Sequence, residues 1–445
     1  MSAIIDRPRF DCVFGGALAL ARAIPRLIPI THASMGCAYN YYIGGNTGAG
    51  YLGGGYCGAC ATPSSNVSER EVVFGGENRL EEQIVKTMEI MDGDLYLVIS
   101  GCQVEMIGDD VRSVAARIDT PYPLLAVPTP SFKGNANYGY DLVLELFIRE
   151  YSGRYAAKKS KKVNVFGLVP GGDVFYRGNL KEIKRLLALI GVEANTLIGE
   201  GEGLADIKSI GEAGLNIILS DVYAPLSEKA LADVHGIPSI REPLPIGFLQ
   251  SKNFLTAVGK ALGIPQADIK KALEREEEVY FDYMERISDS YADFDFQRYA
   301  VIAADANYAP ALSRFVSDEL GWIPHLTQIT DTLGKEEQER LERRFDGYES
   351  GLRPQVFFDA NASGLRRNLI NSWERNRNHI YYEPLGPLVL FGSSFERDFA
   401  EEQGCPLLNI SFPVTNRVVF NRAYAGINGG LTLAEDTFAL IVSGR

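Results

Sequence analysis

An α/β protein of three Rossmann-like domains, with mainly parallel sheets, is what this sequence predicts. A chain of 445 residues is too long for one compact core of ordinary size, which implies two or three domains. Apolar runs that read as buried strands alternate with amphipathic segments of helical period, and that alternation means parallel strands joined by crossover helices. No internal repeat or low-complexity stretch interrupts the pattern.

The elements follow in order. "GDLYLVISG" (93–101) is a buried strand closed by Gly101, and "PYPLLAVPTP" (121–130) is a second strand ending in a loop. "KKVNVFGLVPG" (161–171) opens a clearer unit: strand, glycine-rich turn, the helix "LKEIKRLLALIG", then "VEANTLIG". The pattern returns in "RYAVIAADANYAPALSRFVSDELGWIPHLTQI" (298–329). Between these units, "IKKALEREEEVYFDYMERISDSYADF" (269–294) reads as a charged helix bridging domains. The limits that result are 1–160, 161–296 and 297–409. The apolar and aromatic density of 409–438 implies that the segment 410–445 packs back on the first domain.

Bulk properties exclude several functions. Hydrophobic residues at 46% and charged residues at 23% describe an ordinary globular protein. A formal charge of −13 argues against nucleic acid and against an anionic membrane surface, both of which need a basic face. No window reaches the roughly 20 apolar residues of a membrane span, and "MSAIIDRPRFDC" lacks the pattern of a signal peptide, so a cytoplasmic protein is expected.

Six cysteines are few for this length, and five of them lie in the first quarter: Cys12, Cys37, Cys57, Cys60 and Cys102, with Cys405 apart. Clustered thiols in a cytosolic chain point to metal binding or redox chemistry. Cys12, Cys37 and Cys102 each sit at the edge of an apolar run, too far apart for the short ferredoxin spacings. Ligands from three separate element ends can still converge, and Gly15, Gly16, Gly36 and Gly101 beside them would let backbone approach a bulky cluster. Burial of the same cysteines as small hydrophobes is the alternative on spacing alone. Other chemistry is poorly served. No GxxxxGKS or GxxxxGKT is present, and "GEGEG" (199–203) misses the dinucleotide spacing. His32, His235, His325 and His379 form no HExxH or cysteine–histidine motif and read as packing or surface residues.

Four ordered blocks, "DCVFGGALALARAIPRLIPITHASMGCAYNYY", "VVFGGENRLEEQIV", "GCQVEMIGDDVRSV" and "VPTPSFKGN", together resemble component 1 of nitrogenase and its relatives. The resemblance runs along most of the chain. It is closest to the β subunit, through "REPLPIGFLQSKNFLTAVGKALG" (241–263) and "SFPVTNRVVFNRAYAGINGG" (411–430). It implies the component 1 fold and makes Cys12, Cys37 and Cys102 the β-side ligands of a P-cluster of the 8Fe–7S type or a related iron–sulfur cluster, shared with an α-type subunit. Ser131, in "TPSF", matches the serine that can join the oxidised cluster, with a loop serine or helix cap as the alternative. Tyr39 falls beside the cluster-facing segment. The resemblance further implies an α2β2 heterotetramer and an ATP-dependent iron protein as electron donor. The substrate cofactor then belongs to the α subunit, no catalytic residue is assigned here, and Cys405 reads as an ordinary buried cysteine.

Two features depart from the molybdenum-nitrogenase β pattern: only eleven residues precede Cys12, and "YNYYIGGNTGAGYLGGGYCGACATPSS" is rich in glycine and carries Cys57 and Cys60 as CxxC. A redox pair or half a zinc site is one reading of that CxxC, a structural loop the other. The departures point to a nitrogenase-like reductase such as the methylthio-alkane reductases, which cleave C–S bonds to release methanethiol and a hydrocarbon. The β subunit of a molybdenum-independent nitrogenase is the runner-up. A cofactor-assembly scaffold is disfavoured because all three β-type cysteines are present. The chlorophyll-precursor reductases fit the blocks less well, and a plain Rossmann dehydrogenase is more distant still.

Overall fold

The computed structural model describes residues 5, 7–37, 46–51, 61–372 and 386–443. Its described strands form three sheets, all parallel. The first has the order β1 (Leu27–His32), β2 (Leu95–Ser100), β3 (Leu124–Val127). The second combines β4 (Lys159–Phe166), β5 (Glu193–Asn195), β6 (Ala213–Ile218) and β7 (Ser239–Arg241) in the order β5-β4-β6-β7. The third takes β8 (Tyr299–Ala304), β9 (Ile323–Ile329), β10 (Gln355–Phe358), β11 (Leu388–Gly392) and β12 (Leu407–Asn409) in the order β10-β9-β8-β11-β12. The predicted α/β class with parallel sheets is therefore observed, and the runs read as strands at 93–101, 121–130 and 161–171 contain β2, β3 and most of β4.

Parallel strands covered by helices on both faces need apolar side chains on both faces. Accordingly β1 and β2 are buried along their full lengths. The free edge of β1 is not left open: Thr31 N–H donates to Pro63 O (2.9 Å) and Ser65 N–H to Thr31 O (2.9 Å), so the loop 63–67 runs along it. That loop supplies the partners an exposed edge would lack.

The helix Val13–Ala23, "VFGGALALARA", is buried on every side. It crosses the helix Ala136–Leu146 so closely that a Cβ at Gly16 would lie 1.9 Å from Ala136 O, and one at Gly139 1.9 Å from Val13 O. Glycine is required at both crossing points because no side chain fits between the backbones.

Polar contacts join the three sheets. Arg9 pairs with Glu396 and donates to Ser393 Oγ (2.9 Å) over the ring of Phe395. Asp331, after β9, accepts from Asn137 Nδ2 (3.1 Å) and from the Tyr223 hydroxyl (2.9 Å). The segment 412–419 meets residues 48–51 of the first unit, where Gly50 N–H donates to Val414 O (3.0 Å). The final helix, Gly426–Ser443, differs from the expectation for the C-terminal segment. It packs on the helices Tyr176–Leu189 and Gly247–Leu262 that flank the second sheet. Close approach explains this, since a Cβ at Gly430 would lie 2.4 Å from Gly247 Cα. The charged helix Gln266–Arg286 buries only Ile269, Leu273 and Tyr280 and lies against the same group.

Candidate metal centre

Parallel strands deliver their C-terminal ends to one edge of a sheet, where sites are commonly built. From β1 the chain enters a short turn ending at Cys37, whose N–H donates to Ser34 O (3.2 Å). Ser34 Oγ lies 3.7 Å from Cys37 Sγ. From β2 it passes through Gly101 to Cys102, the first residue of the helix Cys102–Ile107. From β3 it reaches Ser131, which opens the 3-10 turn Ser131–Lys133. Cys12 arrives from another direction as the N-cap of the helix Val13–Ala23, its backbone bridged to Asn135.

Two hydrogen bonds tie these positions pairwise. Gln103 Nε2 donates to Ser34 Oγ (3.3 Å), linking the Cys102 helix to the Cys37 turn. Phe14 N–H donates to Ser131 Oγ (3.4 Å), linking the start of the Cys12 helix to the Ser131 turn.

Free cysteines are usually buried. Here Cys12 is exposed, and Cys37, Cys102 and Ser131 are half-buried. Cys405 is half-buried as well. It packs against the core of the third sheet, and burial pushes its thiol up to about 11. Along the chain near Cys37, Ser131 and Cys102 stand exposed apolar side chains: Met35 is 66% exposed, Phe132 64% and Met106 77%. Gln103, beside Cys102, has a buried Oε1 with no hydrogen-bond partner among the described residues.

Among the described residues no three His, Cys, Asp or Glu side chains converge to hold a single metal ion. A multi-iron cluster makes a different demand, because each thiolate binds its own iron. Soft thiols drawn from separate segments are the donor type that such a cluster takes.

Two of the four glycines beside the cysteines, Gly16 and Gly101, have other reasons than cluster approach. Gly16 faces Ala136, and a Cβ at Gly101 would lie 2.7 Å from Ala33 Cβ. Gly36 has open space, with nothing among the described residues within 4 Å. In "GEGEG" the turn is filled by the protein itself: the Glu202 carboxylate accepts from Thr196 N–H (3.1 Å), Gly199 N–H (3.2 Å) and Lys184 Nζ (2.6 Å). His32 is fully buried. His235 Nε2 lies 2.8 Å from Ser152 Oγ, and burial lowers its pKa to about 4. His325 Nε2 lies 3.1 Å from Ser372 Oγ. Tyr39, Cys57, Cys60 and His379 lie outside the described residues. Sequence reasoning missed the exposed apolar rim, although Met35, Met106 and Phe132 stand next to the residues it singled out.

Three parallel sheets, with Cys37 and Cys102 following two strands of the first, define a multi-domain α/β protein with thiols at one sheet edge. The nitrogenase component 1 type oxidoreductase family matches residues 12–441, and the chain belongs to that family. It is similar to the nitrogenase molybdenum-iron protein β chain of Bradyrhizobium diazoefficiens, 26% identical over 97% of this chain and 83% of the relative. The corresponding β chain of Frankia alni is 27% identical over 97% and 81%. That of Methanococcus maripaludis is 24% identical over 98% and 93%. Among solved structures, Nitrogenase Cp1 at pH 6.5 superposes with a TM-score of 0.79 at 21% identity, covering all of this chain and 94% of the other, a likeness of fold. No helix among the described residues is long and apolar enough to cross a membrane.

Proposed function

We propose that this chain is the β-type subunit of a nitrogenase-like reductase. In this reading Cys12, Cys37 and Cys102 hold one half of a P-cluster-type iron–sulfur cluster at the boundary with an α-type subunit. The observation that carries it is the set of three incompletely buried cysteines on separate segments around the first sheet, rimmed by exposed Met35, Met106 and Phe132. An apolar rim around an unfinished ligand set supports a protein partner that completes it. The cluster would supply electron relay from an ATP-dependent iron protein toward the α-subunit cofactor. This chain's own residues hold the thiols in place, exclude water from the inner side and provide the docking rim. Rigid strand ends suit that task because little may move during electron transfer. Ser131 stands as an oxygen ligand available from β3.

For the substrate, the departures from the molybdenum-nitrogenase β pattern set dinitrogen aside, and the overall resemblance favours reductive C–S cleavage, in which a methylthio-alkane takes two electrons and two protons to give an alkane and methanethiol. The names of the relatives favour a second reading, dinitrogen reduction. Replacing Cys37 or Cys102 with Ala should strip iron from the anaerobically purified complex and abolish turnover. Unchanged iron content would sink the cluster assignment. Product analysis with iron protein, ATP and reductant separates the substrates: methanethiol and hydrocarbon without ammonia support the C–S reductase, and ammonia supports the second reading. Neither product from an iron-replete complex would favour an assembly scaffold.

A further inference from the structure

Behind the cysteine end of the first sheet lies a buried polar chain that the electron-relay reading does not use. Ser65 Oγ is 2.8 Å from His32 Nδ1, and His32 Nε2 is 3.0 Å from Asp109 Oδ2. Ser65 and His32 are fully buried, and the Asp109 side chain is 4% exposed. Burial, outweighing the attraction of Asp109, lowers the His32 pKa. A neutral ring protonated on Nε2 satisfies every partner: it donates to Asp109 and accepts from the Ser65 hydroxyl.

Each member belongs to a different segment around the site. His32 ends β1, five residues before Cys37, and its carbonyl accepts the Gly101 N–H (2.8 Å) immediately before Cys102. Asp109 follows the Cys102–Ile107 helix directly, its N–H bonded to Val104 O (3.1 Å). Ser65 belongs to the loop along the β1 edge, and its carbonyl accepts from Arg79 Nε (2.9 Å). Asp109 also accepts the Gly76 N–H at 3.0 Å on both oxygens. A Cβ at Gly76 would lie 2.6 Å from Asp109 Oδ2 and 3.0 Å from His32 Cε1. "VFGGEN" and "IGDD" are therefore two sides of one contact, with the glycine making room for the His–Asp pair.

We infer that the Ser65–His32–Asp109 chain is a positioning device, which sets the Cys37 turn against the Cys102 helix and so presents their two thiols in one relative geometry. His32 and Asp109 are positioning residues and touch no reacting atom. The inference rests on the cluster assignment proposed above for its functional meaning, while the geometry it asserts belongs to the chain alone. It is also selective, because Cys12 and Ser131 are held by the separate crossing of the helices Val13–Ala23 and Ala136–Leu146.

The test uses three variants of the full chain, purified with its partner subunit. Asp109→Ala removes the acceptor. Asp109→Asn keeps the shape and the Gly76 bond, and can pair with the other His32 tautomer, which then donates to Ser65. Gly76→Ala pushes a methyl group into the pair. We expect Asp109→Ala to lower cluster iron per assembled complex at least five-fold, Asp109→Asn to keep at least half of it, and Gly76→Ala to shift the low-temperature paramagnetic spectrum. Wild-type iron and spectrum in Asp109→Ala would overturn the inference, as would equal loss in the Ala and Asn variants. Amide exchange at Gly101 in the isolated full-length chain reads the same geometry without iron, and serves equally if Asp109→Ala fails to assemble. Faster exchange in Asp109→Ala than in Asp109→Asn supports positioning, and equal rates overturn it. A wild-type complex without iron would sink the cluster assignment, and the exchange comparison would still decide the positioning claim.

Discussion

Gly16 lies against the backbone of Ala136, with no room for even a methyl group between them. This contact and its counterpart, Gly139 against Val13, bring together the two helices that carry Cys12 and follow Ser131. Overpacking such a crossing costs about 1–3 kcal/mol. Gly16→Ala and Gly139→Ala should each lower stability by that amount or more, read from denaturant midpoints. Gly36→Ala is the matched control. Its Cβ meets nothing within 4 Å, so a change within about 0.5 kcal/mol is expected.

The buried Arg9–Glu396 pair should tolerate joint replacement better than single loss. The two side chains are 2% and 1% exposed, and Glu396 also accepts from Ser393 N–H (2.8 Å). Removing one partner leaves an uncompensated buried charge, a cost of about 3–5 kcal/mol. Arg9→Met alone should destabilise by that much, and Arg9→Met with Glu396→Leu should recover most of it. Thermal unfolding of the two variants checks the difference.

A carboxyl cluster at the junction of the sheets should make stability fall as pH rises. Asp173, Asp305 and Asp331 line one cavity of about 40 Å³. Burial, reinforced by Asp305, pushes Asp173 and Asp331 up to about 7, and burial raises Asp305 as well. Unfolded carboxyls titrate near ~3.9, so between about 4 and about 7 the folded chain holds protons that the unfolded chain has released. Their stabilising contribution is complete below about 4 and is lost as pH rises through about 7. Asp331→Asn removes one such ionisation. Its stability relative to wild type should improve by at least about 1.4 kcal/mol between pH 5 and pH 8, the equivalent of one pKa unit. An unfolding series across that range reads it.

The thiols should differ in reactivity in the isolated chain. Cys12 is exposed, whereas Cys405 is half-buried with its thiol pushed up to about 11. The thiolate is the nucleophile, so alkylation near pH 7.5 should label Cys12 well before Cys405. Peptide mapping over time measures the order.

Much of this protein is legible without coordinates. The strands of 93–101, 161–171 and 298–329 announce themselves because parallel strands are apolar on both faces and are followed by helices of clear period. The cysteine blocks stand out for a related reason: each lies at a strand end or helix start, where local sequence changes character. The partners across the fold are another matter. Glu396 lies far along the chain from Arg9, Asp109 from His32 and Asp331 from Asn137, and no local pattern joins them. The final helix shows the same limit, since the apolar and aromatic density of its segment announced packing, yet the helices of the second sheet cover it rather than the first domain that the sequence suggested. Chain connectivity and side-chain period specify what each segment can become. Which buried charge meets which, and which glycine must yield to a neighbouring backbone, is decided only when three sheets pack and leave each polar group one place to find a partner.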